Sequence, residues 1–342
     1  MHKIFSHNGI KKYYIYALTL FLVIVAFWFG KQQGLSSTRY FIEQFKPLRL
    51  PLVENKYTSP LIGVESPEAT EVGIYSDLKS SVEHIIKDAK KKKEAQTISV
   101  YVRDLNTSLW FGIDKEEVFY PASLLKLPYA FAGYKLEEEG FGSPAKRYRY
   151  TAEIATINKV RPSASPSTLI VGREYTLEEL ILLMVEHSDN GARDMLAIIL
   201  PGANVDRIFS TVGVNLPQPS SEYEITTEKY ARFLRMLYSA SYLNEGNSNK
   251  LLSLLTKTDF DYALTKYLPK TIEVAHKWGV LNLPPNTSGI ALTQLHDCGI
   301  IYNGDSPYVL CVMTKGEDQL VLANTIANIS KKVFEYVTNT KD

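Results

Sequence analysis

Two groups of strand-like segments, held apart by a long helical block, constrain this chain more than any other feature of its sequence. Thr97 to Leu105 and Leu109 to Phe119 alternate apolar and polar residues like two half-buried strands joined by a polar turn at Asn106 to Ser108. The signal returns at Ile272 to Val280, Leu295 to Tyr302 and Tyr308 to Thr314, the last two flanking the turn residues Asn303, Gly304 and Asp305. Between the groups, Ser123 to about Leu255 is helix-rich. Amphipathic helices close both ends: Ser76 to Lys93, with Leu78, Val82, Ile85, Ile86 and Ala89 at helical spacing, and a segment after Gly316 carrying Leu322, Ile326, Ile329, Val333 and Val337. The order predicts an α/β (α+β) domain in which strands distant in sequence complete one antiparallel sheet. The terminal helices cover one face and the helical block the other.

Local signals place several boundaries. Thr176 followed by Glu179 is a capping box opening the helix LEELILLMVE, which ends at His187, and ARDMLAIIL forms a second helix running into Pro201 and Gly202. Thr226 opens the next helix, and Ser76 reads as an N-cap.

The folded domain is expected to span 74–342. Ahead of it, Tyr13 to Gly30 is an uncharged apolar run of bilayer-crossing length, with Tyr13, Tyr14 and Tyr16 at one end and Trp28 and Phe29 at the other, as in aromatic belts. No small-residue cleavage site follows, so 13–30 reads as an uncleaved transmembrane anchor, 1–12 as a short cytoplasmic terminus and 31–73 as a stalk. This predicts a single-pass membrane protein with its domain on the extracytoplasmic side.

With 38 Lys and Arg against 37 Asp and Glu, the net charge of +1 leaves no electrostatic footprint for nucleic acid. No histidine and carboxylate spacing suggests a metal, and no cofactor is implied. The two cysteines, Cys298 and Cys311, exclude a disulfide framework. They read as buried thiols, although a hairpin turning at Asn303 to Ser306 would set them face to face, where a bridge is conceivable.

The chemistry concentrates in three short motifs. Ser123-Leu-Leu-Lys126 follows Pro121-Ala122 at a helix start, where the Lys126 ammonium can reach the Ser123 hydroxyl and, when neutral, accept its proton. The spacing alone proves little, since Ser76-Asp-Leu-Lys79 matches it on a solvated helix start. Ser188-Asp189-Asn190 falls in the break between two helices, and Lys277-Trp278-Gly279 lies on the first strand after the helical block. Ser-x-x-Lys, Ser-Asp-Asn and Lys-Thr-Gly together are the signature of class A β-lactamases and penicillin-binding proteins.

From about Ser76 to its C-terminus the chain therefore resembles that family, in PASLLKLP, HSDNGARDML, AHKWG and HDCGIIY followed by YVLCVMTKG. The resemblance implies a five-stranded antiparallel sheet flanked by helices plus an all-helical subdomain, with the site between them. It further implies that Ser123 attacks the amide carbonyl, Lys126 takes its proton, Ser188 passes a proton to the leaving nitrogen and Lys277 sets a positive potential at the substrate carboxylate. Asn190 would bind the acyl-amide side chain, and the backbone N–H groups of Ser123 and of Val280, after Gly279, would form the oxyanion hole. Asp189 would fix its loop.

Two departures qualify the resemblance. Trp278 stands where the family has Thr or Ser, so Lys277 holds the carboxylate alone, or the ring stacks on a larger ligand, or access is narrowed. No Glu-x-x-Leu-Asn pattern follows Asn190, and Glu222 and Glu224 are the candidates for a deacylating base, set against a reading as solvated loop carboxylates. His187 and His276 beside the motifs read as packing or hydrogen-bonding residues. The leading reading is a penicillin-recognising acyl-serine hydrolase acting on β-lactams. Its alternatives are a D-alanyl-D-alanine carboxypeptidase or transpeptidase with slow deacylation, acting on a peptidoglycan stem peptide, and a non-catalytic wall-binding module.

Overall fold

A computed structural model of the chain describes residues 20–26, 56–58, 75–140, 146–159, 167–214, 223–285 and 289–339. Residues 1–46 and 47–342 form two separate units. In the first, residues 20–26 are helical. Most of the Tyr13–Gly30 run lies outside the described residues, among which no helix is long and apolar enough to cross a membrane.

The second unit runs in the order α1 (Ser76–Lys91), β1 (Thr97–Asp104), β2 (Trp110–Ile113), a 3-10 turn (Ala122–Leu125), α2 (Lys126–Glu138), β3 (Arg147–Arg149), α3 (Ala152–Lys159), β4 (Glu174–Thr176), α4 (Leu177–Glu186), α5 (Asn190–Ile199), α6 (Gly202–Thr211), α7 (Thr227–Tyr238), α8 (Glu245–Leu255), β5 (Glu273–Leu283), β6 (Leu292–Tyr302), β7 (Tyr308–Gly316) and α9 (Gln319–Asn339). The main sheet has the order β2-β1-β7-β6-β5, antiparallel throughout, so strands from both ends of the sequence meet at β1 and β7.

Alternation along each strand gives the sheet two apolar faces. Ala275, Cys298, Ile300 and Met313 join Leu127, Phe131, Leu180, Met184 and Phe233 of the helical block in one core. Val100, Phe111, Leu310 and Val312 join Leu78 and Val82 of α1 and Ile326 and Ile329 of α9 in the other. The two-layer covering expected from sequence is therefore present.

Some local expectations change. The second strand stops at Ile113 because Asp114 takes a left-handed φ of 48° and the polar run Lys115-Glu116-Glu117 follows; Phe119 rejoins the fold as an isolated bridge to Ile225. Tyr75 occupies the N-cap position of α1 without a side-chain capping bond and Ser76 is the first helical residue, which corrects the reading of Ser76 as N-cap. The capping box at Thr176 and Glu179 and the Thr226 cap are both formed. The small sheet of β3 and β4 had no sequence signal of its own. Cys298 and Cys311 face each other in register across β6 and β7 and are bonded, so the buried-thiol reading gives way to the bridge.

Residues 56–58, expected within a stalk, pack on the domain. The Tyr57 N–H donates to Asn249 Oδ1 at 3.1 Å and its hydroxyl to Glu273 Oε1 at 3.1 Å, while its carbonyl accepts from the Tyr302 hydroxyl at 3.1 Å.

Candidate active site

The three motifs converge where the 3-10 turn lies against β5. Gly279 permits the approach: a β-carbon there would stand 2.9 Å from the Ser123 backbone nitrogen and 3.0 Å from both the Leu124 nitrogen and the Pro121 carbonyl oxygen. Any side chain would drive the two segments apart. Ser123 sits in the 3-10 turn at the entrance to α2, so the expected helix start is present in a tighter form.

Lys126 and Ser188 are buried, and Lys277 is fully so. The Lys126 ammonium donates to the Ser188 carbonyl and, at 3.0 Å, to the Ser188 hydroxyl, and Lys277 Nζ lies 3.1 Å from the same hydroxyl. Among the described residues the Ser123 hydroxyl has no hydrogen-bond partner; Lys126 turns to Ser188 instead. Burial pushes the Lys277 ammonium down from 10.5 to about 7, against the opposing pull of the Asp297 carboxylate. Near neutral pH it can exist in either protonation state. A hydroxyl between two amines can accept a proton from one and give its own to the other, so Ser188 can relay a proton between Lys126 and Lys277.

Two residues at this junction have backbones that L side chains rarely adopt, Ala122 with φ 50° and Ser188 with φ 53°. Such conformations cost about 1–3 kcal/mol each and persist where the surroundings over-determine them. For Ser188 the holding group is Asp189. Its carboxylate caps α5 by accepting from Ala192 N at 2.9 Å, and it accepts from the Ser167 hydroxyl at 2.8 Å and from Thr168 N and Oγ1 at 2.6 and 2.8 Å. Asn190 is the first residue of α5, half-buried beside Ser188.

Trp278 follows Lys277 on β5, and its ring lies with the core under α1 and α9, stacked on Phe260 at 4.2 Å between centroids and 17° between planes. Lys277 Nζ is 5.5 Å from the indole centroid. Val280 is half-buried on the same strand. Glu224 is exposed, and Glu222 lies outside the described residues. His187 Nδ1 contacts Asp259, and His276 donates from Nδ1 to Asp297 Oδ1 at 2.8 Å, buried behind β5.

Sequence reasoning missed the residues that hold the turn before Ser123. Gln294 Oε1 accepts from the Tyr120 N–H at 3.1 Å, His296 Nε2 donates to the Tyr120 carbonyl at 3.0 Å, and the Tyr230 hydroxyl donates to the Leu124 carbonyl at 3.4 Å. The available signal was Gln294 and His296, two polar residues at alternate positions and so on one face of a strand rich in apolar residues.

A sequence profile of the beta-lactamase enzyme family matches residues 77–337, which takes in all three motifs. The chain belongs to the beta-lactamase enzyme family. This member is accordingly a serine hydrolase of the β-lactamase type. Solved structures agree on the fold. A β-lactamase from Sphaerobacter thermophilus DSM 20745 is 20% identical, with a TM-score of 0.63 over 77% of this chain and 98% of its own. TLA-3 extended-spectrum β-lactamase is 24% identical, with a TM-score of 0.65 over 77% and 98%. PBP-A, in a variant solved as its acyl-enzyme complex with penicillin G, is 22% identical, with a TM-score of 0.63 over 77% and 97%. No curated protein sequence matches the chain.

Proposed function

We propose that this family member opens the β-lactam amide through an acyl-enzyme at Ser123, with the machinery of a class A β-lactamase for that step. The observation that carries the reading is the Ser188 hydroxyl held 3.0 Å from Lys126 Nζ and 3.1 Å from Lys277 Nζ, beside a Ser123 turn packed on Gly279. Lys126, neutral, takes the Ser123 proton as the hydroxyl attacks the carbonyl carbon. The C–N bond breaks as Ser188 protonates the departing nitrogen and is itself reprotonated from the lysines. The N–H groups of Ser123 and Val280 stabilise the oxyanion, Asn190 binds the acyl-amide side chain, and Lys277 attracts the substrate carboxylate without help from Trp278, whose ring is taken up by Phe260 on the other face of the sheet.

A second reading is a D-alanyl-D-alanine peptidase acting on peptidoglycan stem peptides, and the exposure of Glu224 favours it. An exposed carboxylate is poorly placed to activate a deacylating water, so the acyl group would leave slowly. The location we propose is a single-pass membrane protein with its domain outside the cytoplasm. The apolar run at 13–30 and the Cys298–Cys311 bridge, a bond of oxidising compartments, support it.

Incubation with a fluorescent penicillin tests acylation: intact mass should increase by one acyl group, lost in Ser123→Ala and retained in Ser76→Ala. Folded protein that takes no label would refute both enzyme readings. Rapid turnover of a chromogenic cephalosporin selects the β-lactamase, and a long-lived adduct the peptidase. Protease protection of the domain in sealed inside-out vesicles tests the location, and digestion there would overturn it.

A further inference from the structure

The segment entering the nucleophile turn is held from below by two side chains of β6. Gln294 and His296 are two residues apart, point to the same face, and are 4% and 0% exposed. Between them they take both backbone polar groups of Tyr120: Gln294 Oε1 accepts its N–H at 3.1 Å and His296 Nε2 meets its carbonyl at 3.0 Å. A carbonyl only accepts, so Nε2 carries the proton; burial pushes the ring down to about 4, which keeps it neutral at neutral pH. The imidazole also stands edge-on to Phe119 at 5.3 Å, one residue earlier.

We infer that Gln294 and His296 are positioning residues for the reaction at Ser123, acting through Tyr120. The inference rests on the reading of Ser123 as nucleophile. Its physical basis is the strained junction that follows. Ala122 takes φ 50°, and relaxing it would rotate the Ser123 N–H and hydroxyl together. Gly279 presses on the turn at Pro121, Ser123 and Leu124, and Tyr230 holds the Leu124 carbonyl. Those contacts fix the turn from its far side. The near side has the Phe119–Ile225 bridge and then the two bonds to Tyr120, which stop the chain from swinging about Pro121. His296 pairs in register with Gly279, so one rung of the sheet supports the turn through a side chain from β6 and a bare backbone from β5.

The test uses His296→Met, which removes the donor at similar size, and His296→Gln, whose amide nitrogen can restore it. Gln294→Met removes the acceptor. Stopped-flow acylation by a fluorescent penicillin separates the initial binding constant from the limiting acylation rate. The limiting rate should fall about 10- to 100-fold in His296→Met and Gln294→Met, with the binding constant and cooperative unfolding retained, and His296→Gln should recover most of it. Hydrogen exchange at the Tyr120 amide should accelerate in Gln294→Met. An unchanged limiting rate in the folded Met variants would overturn the inference, as would a loss that His296→Gln does not relieve. A fluorophosphonate run in parallel reports Ser123 reactivity without regard to substrate. Wild-type protein that reacts with it but not with penicillin refutes the β-lactam reading while the positioning effect is still read from the fluorophosphonate rate.

Discussion

Lys277 Nζ stands 3.1 Å from the Ser188 hydroxyl, inside a site where burial brings that ammonium down to about 7. A charge so placed is costly to the fold and useful to an anionic ligand. Between about pH 7 and its unfolded value of 10.5 the unfolded chain binds more protons at Lys277 than the folded one, so this residue makes stability rise with pH across that window. Binding should run the other way: affinity for a carboxylate-bearing β-lactam weakens as pH rises through about 7, and Lys277→Arg, which stays charged, flattens the profile. Initial binding constants from pH 6 to 9 check this. A wild-type profile as flat as that of the Arg variant would refute it.

Gly279→Ala should fail at the site and in the fold. Its new methyl meets backbone atoms of Ser123, Leu124 and Pro121 at 2.9–3.0 Å, none of which can rotate aside. The expected cost is about 1–3 kcal/mol in urea unfolding, with penicillin labelling abolished.

Asp189→Ala should loosen the Ser188 turn. The variant loses the α5 cap and leaves Ser167 and Thr168 without their acceptor, at about 2–4 kcal/mol, and the strained Ser188 backbone can relax. Thermal unfolding and acylation rate should fall together; acylation at the wild-type rate would show that Ser188 holds its place unaided.

The Cys298–Cys311 bridge closes a short loop, with a sequence separation of 13. Replacing both residues by alanine should cost about 3 kcal/mol by the chain-entropy argument. Alkylation of unreduced, unfolded protein should find no free thiol, and finding two would refute the bridge.

The sequence disclosed the sheet, its two helical coverings and the three motifs because each rests on local periodicity or on residue types fixed at short spacing. Ser123, Ser188 and Lys277 could be named before their meeting was seen. The bridge between β6 and β7 depended on a register that two cysteines alone do not specify. The support beneath Tyr120 was less legible still: what Gln294 and His296 bind is a backbone N–H and a carbonyl, which every non-proline residue carries and no motif marks. The split of Lys277 and Trp278 between opposite faces follows from strand alternation, yet the ring of Phe260 beside the indole comes from a loop with no pattern.

Tyr57 changes where this protein can be cut. A recombinant fragment starting at Ser76 keeps every motif and every described strand, and would look complete on a gene diagram. It would also strip the partners from Asn249, Glu273 and the Tyr302 hydroxyl at one stroke, leaving the first residue of the strand that bears Lys277 without its brace. The smallest expression unit faithful to the native body begins upstream of Lys56.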